Sequence, residues 1–178
     1  MGRLKTRRRF AMAGTLALGA IYLLTPGAQA KQSELRADLD GRPISPDQAS
    51  SYYCHDFDYP WIHCFSTPAG LDAALAEPMM ESSQGAVAAA FGPADYVTVY
   101  SSPSYAGSFA HLSQDYDALA TIGWNDTISS YRARNNRTGA FYEHWFAGGA
   151  KRTFCCNQNV PSLPSGVDNT FSSVYRTS

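Results

Sequence analysis

The sequence predicts an all-β domain, and three observations carry that prediction. Two Asn/Asp residues, two spacers and Ser-Ser occur in order twice, as Asn125-Asp126-Thr127-Ile128-Ser129-Ser130 and Asp168-Asn169-Thr170-Phe171-Ser172-Ser173. Upstream of each copy stand an aromatic, four residues, an aromatic, one residue and a Gly: Tyr100, Tyr105, Gly107, and later Phe141, Phe146, Gly148. The flanking segments, such as Tyr96-Val97-Thr98-Val99-Tyr100, alternate in the manner of strands. From Gly107 to Asn125 is 18 positions and from Gly148 to Asp168 is 20, so one β unit is repeated.

Each part of the repeat has a physical reason. Glycine behind the paired aromatics permits a backbone fold that a Cβ would forbid. Asn and Asp tolerate tight turns and offer hard oxygen ligands, and the hydroxyls that follow stand where a strand would start. Carboxylates, amides and hydroxyls gathered at a loop-to-strand junction suit a calcium ion, which takes several oxygens in loose geometry. One copy alone reads as turn chemistry. Two copies in matching context point to a site.

These residues resemble the βγ-crystallins, whose Greek-key motif carries an aromatic-x4-aromatic-x-Gly corner and, in calcium-binding members, [Asn/Asp]-[Asn/Asp]-x-x-[Ser/Thr]-Ser. The resemblance runs from Tyr96 to about Tyr175 and implies two Greek keys packed as a sandwich. It implies calcium ligands at Asn125, Asp126 and Ser129 in the first motif and at Asp168, Asn169 and Ser172 in the second. Ser130 and Ser173 match the motif's final, structural Ser. Glu143 and Ser101 match the corner-strand residues that complete such sites from the opposite motif, and Ser101 is the poorer donor, so two unequal sites are expected. The second corner departs from the pattern, because Trp145-Phe146-Ala147-Gly148-Gly149 offers two glycines for one place.

Residues 1–30 read as an export signal. Five basic residues (Arg3, Lys5, Arg7, Arg8, Arg9) precede an apolar run from Phe10 to Leu24, and Ala28-Gln29-Ala30 offers a small-x-small cleavage pattern. Thr6-Arg7-Arg8-Arg9-Phe10 also resembles a twin-arginine signal, although a plain basic start yields arginine pairs too. The run is short and interrupted by Gly14 and Gly19, a poor membrane span. Removing the leader from 178 residues leaves 148, with nine Lys and Arg against 15 Asp and Glu. An acidic exported chain without a basic patch argues against nucleic-acid binding, and no basic amphipathic helix suggests a membrane contact after the signal is removed.

Residues 31–94 lie outside the resemblance and form an N-terminal extension ahead of the domain at 95–178. Lys31–Ser50 is polar, holds Pro43 and Pro46, and is expected to be a loose arm. Asp38-Leu39-Asp40-Gly41 superficially matches the start of an EF-hand but lacks its later ligands. Ser51–Phe65 is aromatic and bracketed by Cys54 and Cys64, which reads as a strand or hairpin against the β domain. His55, Asp56, Asp58 and His63 match no strong zinc spacing. Thr67-Pro68 caps a short helix over Ala69–Ala76, and Met79–Gly92 is an Ala-rich connector. Four cysteines in an exported chain suggest disulfides. A bond between neighbouring Cys155 and Cys156 is strained, so Cys54 and Cys64 are each expected to reach one of them.

No Gly-x-Ser-x-Gly elbow, His-Glu-x-x-His or phosphate-cradling Gly loop occurs, so the chain is not expected to be an enzyme. The resemblance implies a secreted or otherwise extracytoplasmic calcium-binding module. Two other readings stay open. A proteinase inhibitor on the same fold would present Cys54–Cys64 or Cys156–Gly166 to a secreted protease. A carbohydrate- or cell-wall-binding surface would use Tyr59 and Trp61.

Overall fold

The computed structural model describes residues 35–76 and 95–177. The leader and the Ala-rich connector lie outside the described residues. In chain order the strands are β1 (Arg36–Leu39), β2 (Arg42–Ile44), β3 (Tyr53–His55), β4 (Trp61–Phe65), β5 (Val97–Ser102), β6 (Ala106–Leu112), β7 (Ser130–Ala133), β8 (Gly139–His144), β9 (Gly148–Phe154), β10 (Asn159–Val160) and β11 (Ser173–Arg176). Among the described residues one α-helix, α1 (Pro68–Ala76), follows β4. The fold is mostly β, as the repeat predicts.

Two sheets result, one of eight strands in the order β10-β7-β5-β6-β3-β4-β1-β2 and one of three in the order β11-β8-β9. The repeats exchange their third strands. β10 belongs to the second repeat but pairs with β7 of the first, while Tyr116 of the first repeat bridges Val174 in β11. This crossing makes each sheet depend on both Greek keys. Between the sheets Trp124, Tyr131, Phe141 and Phe171 are almost fully buried. Phe141 stacks on Phe171 at 4.8 Å between ring centres and meets Tyr131 and Phe154 at 5.2 and 5.0 Å. Burying one such ring stabilises the fold by about 1.5–3 kcal/mol.

The N-terminal extension is not a loose arm. Its strands continue the first sheet, with β3 parallel to β6 and β1 parallel to β4. Ala37 and Ala49 are buried in the common core, and Leu39 and Ile44 pack against it, so this polar-looking stretch carries enough apolar side chains to be ordered. Asp40-Gly41 makes the β1–β2 turn, both residues at positive φ (49° and 76°), as a tight hairpin turn requires. Pro43 sits in β2, an edge strand where a missing N–H is tolerated. Helix α1 starts as expected: the Thr67 hydroxyl accepts from the Gly70 N–H at 3.1 Å, and Leu71 and Leu75 face inward.

The expected disulfide pairing is incorrect. Cys54 and Cys64 are bonded to each other, because β3 and β4 place them directly opposite in antiparallel register with both side chains in the core. Cys155 and Cys156 are exposed thiols on the turn that follows β9. A buried carboxylate adds to the β3–β6 pairing in tying the extension to the rest. Asp56 Oδ1 accepts from the Ser113 N–H at 2.7 Å, and its Oδ2 accepts from the Gln114 N–H at 3.3 Å and the Tyr116 hydroxyl at 2.7 Å. Burial raises the Asp56 pKa, and these donors oppose that rise.

Two outcomes follow. Asp56→Ala leaves two buried donors and the half-buried Gln114 N–H without an acceptor and should lower unfolding stability by about 3–5 kcal/mol. Urea denaturation that shows a loss below about 1 kcal/mol would dismiss the anchor. Peptide mapping without reduction should recover a Cys54–Cys64 crosslink, with Cys155 and Cys156 both labelled by a thiol reagent. Reducing that short loop should cost about 2–3 kcal/mol.

Candidate metal centre

The two Asn/Asp loops cross each other, and their backbones clasp reciprocally. The Asp126 N–H donates to the Phe171 carbonyl at 3.0 Å, and the Asn169 N–H donates to the Ile128 carbonyl at 3.1 Å. Asp126 and Asn169 are both left-handed, with φ of 52° and 57°, a conformation that Asn and Asp accept more readily than most residues. The fifth residue of each motif is anchored alike: the Ser129 N–H donates to the Tyr100 carbonyl at 2.9 Å and the Ser172 N–H to the Tyr142 carbonyl at 2.8 Å. The sequence repeat is therefore a repeat in space.

The crossing regroups the predicted ligands. Ser129 of the first motif meets Asn169 of the second, hydroxyl to amide oxygen, at 3.2 Å. The bond from Asp126 to the Phe171 carbonyl sets Asp126 beside Ser172 in the mirrored place. Asn125 bonds the Asp126 carboxylate at 2.7 Å and accepts from the Trp145 indole at 3.3 Å, a neighbour that sequence reading did not identify. Asp168 Oδ1 is buried with no hydrogen-bond partner. Glu143 and Ser101 make their contacts within their own corners. Glu143 Oε2 accepts from the Ala150 N–H at 3.3 Å, and Ser101 Oγ accepts from the Ser108 hydroxyl at 3.0 Å.

The final serines hold the corners. Ser130 Oγ donates to the Ser102 carbonyl at 2.7 Å and accepts from the Tyr105 N–H at 3.2 Å. Ser173 Oγ does the same with the His144 carbonyl at 2.7 Å and the Ala147 N–H at 3.3 Å. These pairs correct the register of the second corner. Tyr142, Ala147 and Gly149 correspond to Tyr100, Tyr105 and Gly107, one position later than Phe141, Phe146 and Gly148. The positive φ values agree, at Ser104, Tyr105 and Gly107 in one corner and Phe146, Ala147 and Gly149 in the other. Phe141 has left the corner for the core. Trp145 and Phe146, 54% and 67% exposed, stand at its tip.

The donor set suits a hard cation. It contains carboxylate, amide, hydroxyl and carbonyl oxygens, with a buried carboxylate oxygen lacking any partner from the protein. No group of three or more His, Cys, Asp or Glu is gathered among the described residues. Of the two loops an inhibitor would present, only Cys54–Cys64 is crosslinked, and it exposes Tyr59.

Neither a family model nor a curated protein matches the chain. Solved structures do match. A domain from Flavobacterium johnsoniae is 29% identical over 47% of this chain and 94% of its own, with a TM-score of 0.42. One from Clostridium beijerinckii is 25% identical over 46% and 95%, with a TM-score of 0.40, and an archaeal one is 26% identical over 47% and 99%, with a TM-score of 0.39. All three are βγ-crystallin domains, the family that the sequence motifs resemble.

The corner register can be tested directly. Gly149→Ala forces a Cβ into a left-handed position at φ +76°, whereas Gly148 has an ordinary backbone and only crowding from the Trp145 carbonyl and His144. Gly149→Ala should destabilise by about 1 kcal/mol or more beyond Gly148→Ala. Equal or reversed losses in denaturant unfolding would overturn this register.

Proposed function

We propose that this chain is a non-enzymatic calcium-binding module of the crystallin-like type, working outside the cytoplasm once its leader is removed. The supporting observation is the clasp of the two loops, which sets Ser129 against Asn169 while Asp168 Oδ1 lies buried and unpaired. A carboxylate oxygen in that condition is costly, and a cation bound beside it offsets the cost. Asn125, Asp126, Ser129, Asp168, Asn169 and Ser172 would hold the ion. Calcium supplies no chemistry here beyond charge: bound only by the folded chain, it ties the two Greek keys together across their crossing. With two carboxylates in the loops, binding should be weak, with dissociation constants on the order of 10⁻⁴ to 10⁻³ M.

Calorimetry and thermal melts of the mature protein test this. Calcium at about 10 mM should stabilise each occupied site by roughly 1.4–2.7 kcal/mol over chelator. Asp168→Asn should weaken calcium binding by about tenfold while leaving the calcium-free protein about as stable, since the half-buried side chain keeps its shape and loses only an unpartnered carboxylate oxygen. Ser129→Ala should weaken binding only a few-fold, because one neutral ligand is lost. No heat of binding, together with melts identical in calcium and chelator, would end the calcium reading.

A further inference from the structure

The two crossed loops differ in what holds their first residue, Asn125 in one and Asp168 in the other. The Trp145 indole N–H donates to Asn125 Oδ1 at 3.3 Å, and Asn125 Nδ2 donates to Asp126 Oδ2 at 2.7 Å. These partners dictate how the amide is turned, because an indole only donates and a carboxylate only accepts. Asp168 Oδ1, in contrast, is buried with no partner.

The pseudo-symmetry of the corners supplies an internal comparison. Tyr142 and Ala147 match Tyr100 and Tyr105, so Trp145 and Phe146 stand where the first corner has Pro103 and Ser104. The backbone agrees: the Phe146 N–H donates to the Asp117 carbonyl at 2.9 Å, and the Ser104 N–H donates to the Pro161 carbonyl at 2.6 Å. Asp117 and Pro161 each lie shortly ahead of one loop. Proline offers a donor from neither side chain nor backbone. The place that serves Asn125 with an indole N–H therefore gives nothing to Asp168.

That difference bears on a cation. The amide oxygen is the one atom of the Asn125 side chain able to bind a hard metal ion, and it is turned toward Trp145. The Asp126 carboxylate, the charge that the ion would seek, faces the amide N–H hydrogens instead. An ion arriving there meets the positive end of the amide dipole. The amide must turn over before Asn125 can be a ligand, and turning it breaks both bonds. Building on the calcium reading, we infer that Trp145 is a latch: its indole keeps Asn125 turned from the ion, so the loop of Asn125 and Asp126 fills only after the loop of Asp168 and Asn169. Trp145 acts through Asn125 and is a positioning residue.

The test is calcium titration of the mature protein, starting from chelator, followed by calorimetry and by the Trp145 indole N–H resonance. That resonance is assigned by its loss in Trp145→Phe. Two binding phases are expected, and the indole resonance should move only in the weaker one. Trp145→Phe keeps a ring and removes the donor, so it should tighten the weaker phase by about three- to tenfold, the worth of one hydrogen bond, and leave the tighter phase unchanged. Phe146→Ala, at the neighbouring exposed ring, should change neither phase, which separates the hydrogen bond from a general loosening of the corner. Trp145 is more than half exposed, so Trp145→Phe should melt in chelator like the unaltered protein. A weaker phase unmoved by Trp145→Phe, or moved equally by Phe146→Ala, would overturn the latch and leave the calcium reading standing. Equal filling of both loops in the unaltered protein, or an indole resonance that moves with the tighter phase, would do the same. No calcium bound by either the unaltered protein or Trp145→Phe would end the calcium reading and the latch with it.

Discussion

The Asp56 carboxylate is the interaction on which the joining of the molecule's two parts depends. A buried acid that meets two backbone N–H groups and a tyrosine hydroxyl can be satisfied only if residues 113–116 hold one conformation. That same segment carries Tyr116, whose backbone bridges to β11 in the other sheet. One side chain in the extension therefore fixes the third strand of the first Greek key. Hydrophobic burial supplies more of the stability, but burial is non-directional and would tolerate other placements of β3. The directional bonds choose among them.

The two Greek keys obey the same rules with different residues. Ser130 and Ser173 lock their corners identically, and the loop backbones trade identical bonds, so the symmetry belongs to backbone and hydroxyl groups. Side chains break it. The first corner has Tyr105 under the Arg132 guanidinium at 3.9 Å, while Ala147 stands in the matching place. Trp145 and Phe146 project at that second corner, and Trp145 reaches across to Asn125. Any ion bound at the crossing thus meets an aromatic neighbour on one side only.

Much of this was legible in the sequence because the repeat is read from residues that act through the backbone. Asn, Asp, Ser and Gly announce turns and clasps in any context, so the loops and the β class followed from pattern. The second corner reads one position early because two glycines and four aromatics compete there, and the Ser173 hydrogen bonds and the φ values single out Gly149 only in the folded chain. Strain between the neighbours Cys155 and Cys156 says nothing about where Cys54 and Cys64 point; their pairing follows from the antiparallel register of β3 and β4, which sets Cys54 opposite Cys64. The anchoring role of Asp56 is not visible in the sequence, since burial of an acid is a property of the assembled sheet. The exchange of ligands between motifs was hidden for the same reason: Ser129 and Asn169 are 40 positions apart.

The four-strand addition also changes what the first sheet shows to other molecules. Without it, β6 would end the sheet, a seven-residue strand offering its backbone to any extended chain nearby. With it, the outermost strand is β2, three residues long and interrupted by Pro43, while the opposite margin is the two-residue β10. Short margins and a proline are poor templates for cross-chain pairing. Among many copies of itself, such a sheet can remain a separate molecule instead of seeding a fibre.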